Sequence, residues 1–388
     1  MLAARPSPRA CVRTRATCPN PHKRRCLATS PALRRPPPPP PTRSPTRRRI
    51  LFFGADAFSC DVFTRLHSTR ADLVASLTVV VPPDQRTGRR LKEVHRPPLR
   101  LLAEQLGVST IPLPSSLLKG WQPPDPFLAV DRNASPPADN VLLTASFGHL
   151  IPTSLLSLFL PLNALNVHPS LLPRWRGAAP IQRGIIAGDA DGLTGEPMGV
   201  TVQELSRGKF DRGRILAQQP VDVPHYADFL ALEPILARAG GELLVSVLRT
   251  LEARQERAQP QGEDRACLAP KLDKSCARAS WAQTSAAEVC RLQRGVGHQY
   301  PLWTTFADAQ LHLRLSPRPI LLPALLADAP PGTIALEPAS KRLVLRCSDS
   351  AECVAVTELK KESGKWVAAR DWWNGASGGR RGALLQLE

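Results

Sequence analysis

From residue 49 onward, apolar positions gather into short runs separated by mixed segments rich in Gly, Pro and polar residues. Ile50-Leu51-Phe52-Phe53 closes on Gly54 and leads into a segment, 57–68, that reads as a helix. A second, β-branched run lies at 73–81 and a third at 141–145. Segments 101–106 and 155–160 have helical patterns, whereas 164–167 and 198–205 read as strands. Strands that alternate with helices predict a parallel α/β sheet with Rossmann-like winding. Only Gly54 follows the first strand, which argues against the Gly-rich turn of a nicotinamide- or flavin-dinucleotide site. The pattern changes after a polar, Pro- and Gly-bearing stretch at 254–264, which fits a linker. Beyond it, brief apolar runs at 311–315, 333–336, 343–346 and 351–359 are separated by Pro, Gly and Ser-Asp turns, as in a small β-barrel. The expected architecture is α/β: a Rossmann-like parallel-sheet domain over 49–253, a linker over 254–266, and a small OB-like C-terminal β-barrel over 267–388.

Composition changes this picture mainly through its unevenness. A length of 388 residues accommodates two domains, and an apolar share of 43% with a charged share of 22% is that of a soluble globular chain. No run approaches the ~18 apolar residues that a membrane span needs, so no membrane partner is expected. The formal charge of +18 suggests nucleic acid until it is divided along the chain. Residues 1–49 hold twelve Arg, one Lys and no acid, or +13; the other +5 falls within 267–388, and 50–266 is neutral. A leader rich in Arg, Ser and Thr, without acids and without an apolar core, suits an organellar transit peptide and not a secretory signal. Six prolines at 36–41 block a helix and read as a spacer. Residues 1–48 are therefore expected to be a disordered transit peptide and spacer, addressing the chain to the mitochondrial matrix; a plain basic tail would share this composition. Three of nine cysteines lie in the leader. The others, Cys60, Cys267, Cys276, Cys290, Cys347 and Cys353, form no CxxC pair and have no His at metal spacing. Reduced thiols and no metal site are expected.

The densest chemistry lies at 166–182, NVHPSLLPRWRGAAPIQ. Asn166 and His168 end a predicted strand, where α/β sheets open their ligand crevice. At positions i and i+2 they face one side, so an amide N–H and an imidazolium N–H can converge on one atom, as a tetrahedral oxyanion requires. Pro169 and Pro173 stiffen the loop that follows. Taken alone, a His satisfied by one hydrogen bond at a strand end explains these residues as simply. A carboxylate that orients the His or assists proton transfer completes such a site. Asp211, in the turn of a strand-turn-strand pattern at 199–216, is a candidate, although an Asp there ordinarily makes only an Asx-turn. Six Lys or Arg against one Glu between 86 and 100 suit phosphate attraction, or equally a solvated charge run. Trp175, between two arginines, is compatible with stacking on a base or with a place in the core.

The run Asn166-Val167-His168-Pro169-Ser170-Leu171-Leu172-Pro173, followed by the Asp211-Arg212-Gly213 turn, resembles the 10-formyltetrahydrofolate-dependent formyltransferases. Its extension Arg174-Trp175-Arg176-Gly177-Ala178-Ala179-Pro180-Ile181-Gln182 resembles the members that act on methionyl initiator tRNA. Gly54-Ala55-Asp56-Ala57-Phe58 and the segment 145–152 match as well; beyond Lys271-Leu272 the likeness is one of layout. The resemblance implies Asn166, His168 and Asp211 as the catalytic trio. It implies folate held by the loop of Ser170, Leu171, Leu172 and Pro173, and a tRNA acceptor end met by Arg86, Arg89, Arg90 and Lys92 on an insertion loop. It further implies 10-formyltetrahydrofolate as formyl donor, no metal, initiator Met-tRNA as partner, and a C-terminal barrel that binds tRNA; the chain is expected to act as a monomer in mitochondrial translation initiation. Pro169 departs from the Gly frequent in bacterial members, Arg212 and Arg214 stand where small or acidic residues are usual, and 191–197 reads as a short insertion. Two other readings remain open: a related formyltransferase acting on a glycinamide ribonucleotide or a sugar amine, and a non-catalytic RNA-binding protein on the same scaffold.

Overall fold

β1 (Arg48–Gly54) is buried along almost its whole length, because it lies inside a sheet covered on both faces. The computed structural model describes residues 46–87, 92–115, 118–128, 134–349, 351–378, 380 and 382–388. The expected leader up to residue 45, and Arg89 and Arg90, lie outside the described residues. α1 (Ala57–Ser68) starts where the Asp56 side chain accepts from the Ser59 N–H, a cap that satisfies one orphan donor of the first turn. Its Phe58, Val62, Phe63 and Leu66, at three- and four-residue spacing, form the buried face. The turn α2 (Arg70–Leu73) leads into β2 (Val74–Val81). An antiparallel hairpin of β3 (Gln85–Thr87) and β4 (Glu93–His95) precedes α3 (Pro98–Gln105) and β5 (Ser109–Pro112). Next come β6 (Asn140–Ala145), the turn α4 (Thr153–Leu156), β7 (Ala164–His168), the two-residue β8 (Arg176–Gly177) and α5 (Pro180–Ala187). β9 (Gly199–Glu204), β10 (Ile215–Pro220), α6 (Phe229–Arg249) and α7 (Leu251–Glu256) complete the first half.

The main sheet is ordered β10-β9-β7-β6-β1-β2-β5. β5, β2, β1, β6 and β7 run parallel, as the pattern predicts. β9 is antiparallel to β7, and β10 to β9, so the parallel sheet carries an antiparallel edge. β9 and β10 are joined by a turn without a crossover helix, which permits only antiparallel pairing. The helix expected at 155–160 is only the turn α4, since Pro152 and Pro161 bracket the segment. Its Leu155, Leu156 and Phe159 instead join a satellite core with Phe53 and Phe127. The 21-residue α6 is absent from the expected elements, because Pro234 and Gly240-Gly241 read as breakers. Those glycines serve close packing: a Cβ on Gly240 would stand 2.8 Å from Val167 Cγ1, and one on Gly241 2.8 Å from Arg65 Cβ.

The second half begins with β11 (Leu268–Ala269), paired to β8, and with α8 (Ala286–Val296), which opens on a capping box of Ser285 and Glu288. It continues through β12 (Leu302–Phe306), β13 (Ala309–Leu315), β14 (Ile320–Leu321), β15 (Thr333–Leu336), β16 (Leu343–Arg346), β17 (Glu352–Lys361), β18 (Val367–Ala368), α9 (Ala369–Ala376) and β19 (Leu385–Gln386). The strands form one antiparallel sheet ordered β12-β13-β17-β16-β15-β19. Its ends meet where Glu388 N donates to Thr305 O at 3.0 Å. The result is a small curled barrel with its own core around Trp281, Leu313 and Val354. Among the described residues no helix is long and apolar enough to cross a membrane.

Both cores belong to one compact unit, Ser44–Glu388, and the contact between them is specific. α5 packs on α8 so closely that a Cβ on Gly295 would stand 2.9 Å from Ile186 Cγ1. Arg294 Nη1 donates to Asp191 Oδ1 at 3.0 Å and Nη2 to Oδ2 at 2.5 Å, with side chains 2% and 10% exposed. The segment that reads as an insertion thus supplies, in Asp191, the acid that docks the second domain. Removing one partner of a buried pair leaves the other charge uncompensated, at about 3–5 kcal/mol. Asp191→Ala is expected to lower the unfolding free energy by about that much in urea titrations; a loss below about 1 kcal/mol would remove the pair from the interface.

Candidate active site

Along β7, Leu165 and Val167 sit in the core beneath the helices, and Asn166 and His168 take the alternate positions. Asn166 is the register neighbour of Thr144 on β6 and of Gln203 on β9. Three polar side chains therefore form one row across three adjacent strands. All three, with His168, line a cleft of about 360 Å³ whose remaining wall includes Phe147, Leu150, Ile151, Pro169 and Phe210. Thr144 Oγ1 donates to Asn166 Oδ1 at 2.7 Å, which leaves the amide N–H group turned toward the neighbouring acid.

That acid is Asp211. It lies on the turn between β9 and β10 at φ 52°, a left-handed conformation that Asp tolerates better than most residues. Its Oδ1 accepts from Gln203 Nε2 at 2.8 Å, and its Oδ2 from Gly177 N at 3.0 Å. Asn166 Nδ2 donates to the same Oδ1 at 3.3 Å, and His168 Nδ1 lies 3.5 Å from it. The other imidazole nitrogen, Nε2, stands 2.9 Å from the Trp175 carbonyl; a carbonyl only accepts, so Nε2 carries its proton there. The structure thus brings Asn166, His168 and Asp211 to one point, with two short contacts fixing the acid and two long ones joining it to the amide and the ring.

The turn itself is held from behind. Gln261 Nε2 donates to Gln203 Oε1, Asp211 O and Gly213 O at 3.1, 3.0 and 2.8 Å. A Cβ on Gly213 would fall 1.7 Å from Glu204 O, so only glycine fits there. Arg212 and Arg214 do not face the acid: Arg212 Nη1 donates to Glu263 Oε1 and Arg214 Nε to Glu204 Oε2, each at 3.0 Å. Arg176, with Arg212 beyond it, holds the Glu263 carboxyl below its ordinary range. Residues expected to form a passive linker, Gln261 and Glu263, are therefore structural partners of the site. At the other wall, Ser146 (φ 47°) donates to Asp56. Burial raises the Asp56 carboxyl above its usual value, while Ser146 and Ser59 pull the other way.

The loop Ser170–Pro173 does not line the cleft; Pro169 does. Ser170 and Leu172 are buried, Leu172 N donates to Thr201 Oγ1 at 3.1 Å, and Leu172 O accepts from Gln218 Nε2 at 2.7 Å. Trp175 is half-buried and its Nε1 donates to Asp189 Oδ2 at 2.6 Å. Arg86 lies on β3 and Lys92 just before β4, both exposed. Sequence reading overlooked Thr144, Gln203, Gly177 and Gln261. For Gln203 a signal existed: in GVTVQE the polar Thr201 and Gln203 alternate with Val200 and Val202, at strand spacing, on a strand buried throughout except at its end.

An amide, an imidazole and a carboxylate converge beside an apolar wall on an α/β sheet, an arrangement able to donate a hydrogen bond and to relay a proton. Comparison with known families gives the class its name. The family described as Formyl transferase matches residues 48–248, and its C-terminal domain matches 271–377. The chain belongs to the formyl transferase family and is a formyl-transferring enzyme. It is similar to the mitochondrial methionyl-tRNA formyltransferase of Homo sapiens, 30% identical over 336 residues covering 84% of this chain and 77% of that one. With the methionyl-tRNA formyltransferase of Paraburkholderia phymatum it shares 30% identity over 353 residues, 87% of this chain and 98% of that one. The corresponding figures for Brucella abortus are 31% over 330 residues, 84% and 97%. Among solved structures, a variant of HypX from Aquifex aeolicus matches with a TM-score of 0.51 at 16% identity, over 87% of this chain and 49% of that one. The chain spans about half the length of HypX, and this likeness is one of fold.

Because Gln203 is buried and anchors Asp211, Gln203→Leu is expected to lower kcat by about 10–100-fold through misplacement of the acid, with the fold retained. An unchanged kcat in a folded variant would show that Gly177 alone positions the carboxylate.

Proposed function

We propose that this enzyme transfers the formyl group of 10-formyltetrahydrofolate to the α-amino group of methionyl initiator tRNA, as a monomer in the mitochondrial matrix. One observation carries the reading. Gln203 and Gly177 hold Asp211 at 2.8 and 3.0 Å, whereas Asn166 and His168 reach it only at 3.3 and 3.5 Å. Hydrogen bonds weaken with length, so the Asn166 amide is the donor most easily redirected to an incoming carbonyl oxygen, and His168 Nδ1 joins it as a donor when the ring carries a second proton. The amine lone pair forms the new C–N bond, and the formyl oxygen takes up charge facing Asn166 and His168. Collapse breaks the bond to N10; the amine loses a proton and N10 gains one, with Asp211 and His168 as the relay. The cleft, at about 360 Å³, lies within the size range of small-molecule sites and offers an apolar wall of Phe147, Ile151 and Pro169 to a flat donor. Ser170, Leu171, Leu172 and Pro173, the loop the resemblance assigns to the folate, follow directly on Pro169 of the cleft wall.

The acceptor side rests on charge. Arg86 and Lys92 are exposed on the β3–β4 hairpin, and with Arg89 and Arg90 they give sequence-independent attraction for phosphates. The +5 of residues 267–388 gives the barrel the same sign. A mitochondrial address follows from the acid-free, Arg-rich residues 1–49.

With initiator Met-tRNA and 10-formyltetrahydrofolate, wild type is expected to turn over, and His168→Ala to lose at least ~10²-fold in kcat/KM while binding tRNA almost unchanged. Formylation of a free sugar or nucleotide amine with none on Met-tRNA would reject the reading. A fluorescent fusion carrying residues 1–50 is expected in mitochondria; cytosolic fluorescence would reject the address.

A further inference from the structure

The turn that carries Asp211 also carries side chains at the mouth of the cleft to which the proposed chemistry assigns no role. Phe210 lines the cleft yet is 56% exposed, a large apolar ring left open at the mouth of the site. Lys209 lines the same cleft, and Arg207 lines a second one of about 500 Å³ on the other side of the turn. Glu204, Leu205 and Ser206 are common to both clefts, so the two adjoin along the turn. Arg212 and Arg214 also border the second cleft, but each is already paired with a glutamate. Arg207 and Lys209 are exposed, and neither side chain has an ion-pair partner among the described residues. The surface does not drift: Gln261 holds the backbone oxygens of Asp211 and Gly213, and Gly213 fits against Glu204.

A fixed exposed ring beside two unneutralised cations, at the entrance to a site that acts on an amine, matches the chemistry of a nucleotide: a flat base and its phosphates. We infer that this turn seats the 3′-terminal nucleotide of a polynucleotide acceptor. Phe210 stacks on the terminal base, and Lys209 and Arg207 contact the phosphates behind it. The aminoacyl ester on that nucleotide then enters the cleft with its amine directed at Asn166 and His168. The inference rests on the acceptor proposed above and adds to it how the acceptor's end is oriented. The same cations could instead hold carboxylates on the donor's tail, and the experiment separates the two sources of negative charge.

The test is steady-state formylation of Met-tRNA by the full chain, varying each substrate in turn. Phe210→Ala is expected to raise the KM for Met-tRNA about tenfold, the scale of losing one stacked base, with kcat within about twofold and the folate KM unchanged. Phe210→Trp keeps a stacking face and is expected to retain the wild-type KM. The double change Arg207→Ala with Lys209→Ala is expected to reduce the salt slope of tRNA engagement by roughly one to two. An active wild type whose tRNA KM does not respond to Phe210→Ala overturns the inference and leaves the proposed function standing. A rise confined to the folate KM assigns the cations to the donor and also overturns it. A wild type inactive on Met-tRNA removes the proposed function and this inference with it.

Discussion

The Asp211 carboxylate accepts from Gln203, Gly177 and Asn166, which come from β9, β8 and β7, and the His168 ring on β7 stands 3.5 Å from it. An ionised carboxylate offers about four acceptor positions; here Oδ1 takes up Gln203 and Asn166, and Oδ2 takes up Gly177. Its side chain is only 10% exposed, and a buried charge without partners is not tolerated. Hydrogen bonds to a charged group contribute about 1.5–3 kcal/mol each, enough for Gln203 and Gly177 alone to hold the acid in place. The amide and the imidazole are then spared that duty. Their longer contacts leave them the less committed groups around the acid.

This division of labour explains why the polar row crosses three strands. A strand offers one face at alternate residues, so a single strand could supply Asn166 and His168 but not the groups that steady their partner. β6 contributes Thr144, which fixes which end of the Asn166 amide faces the acid, and β9 contributes Gln203. The antiparallel edge matters for the same reason. The turn from β9 to β10 folds Asp211 back over the row it must meet, and the segment after α7 then closes the turn from outside through Gln261 and Glu263. The geometry around Asp211 thus depends on residues 50 or more positions away in sequence.

Much of the scaffold was legible because its signals are local. Apolar runs marked β1, β2, β6 and β7, and Gly or Pro punctuation marked the barrel strands. Asn166 and His168 could be placed on one face from strand periodicity alone. What escaped notice depends on long-range packing. Pro234 and Gly240-Gly241 look like helix breakers until β7 and α1 are brought against α6, where only glycine fits. Gln261 sits in a polar, Pro-bearing stretch that differs in no local property from a spacer, and its three hydrogen bonds exist only once the turn is folded. The Ser170–Pro173 loop, which the resemblance assigns to the folate, is fixed by long-range contacts of the same kind, its Leu172 backbone bonded to Thr201 and Gln218.

The charges beside Asp211 show why composition near a site is a poor guide to its electrostatics. Four cations, Arg207, Lys209, Arg212 and Arg214, fall within four residues of the acid, and a count alone would predict a strongly positive environment. Arg212 and Arg214 instead reach backward to Glu263 and Glu204. Such partly exposed pairs add only about 0–1 kcal/mol to stability, so their effect is directional: each turns a positive head away from the carboxylate and neutralises it locally. The acid is left to respond to the amide and the ring, whose distances are set by the sheet. Arg207 and Lys209 have no ion-pair partner among the described residues but are exposed, Lys209 at the rim of the same cleft, and solvent screens them over about 10 Å at moderate salt. One short turn can therefore hold a largely buried anion beside exposed cations, because hydrogen bonds fix the anion while solvent screens the cations.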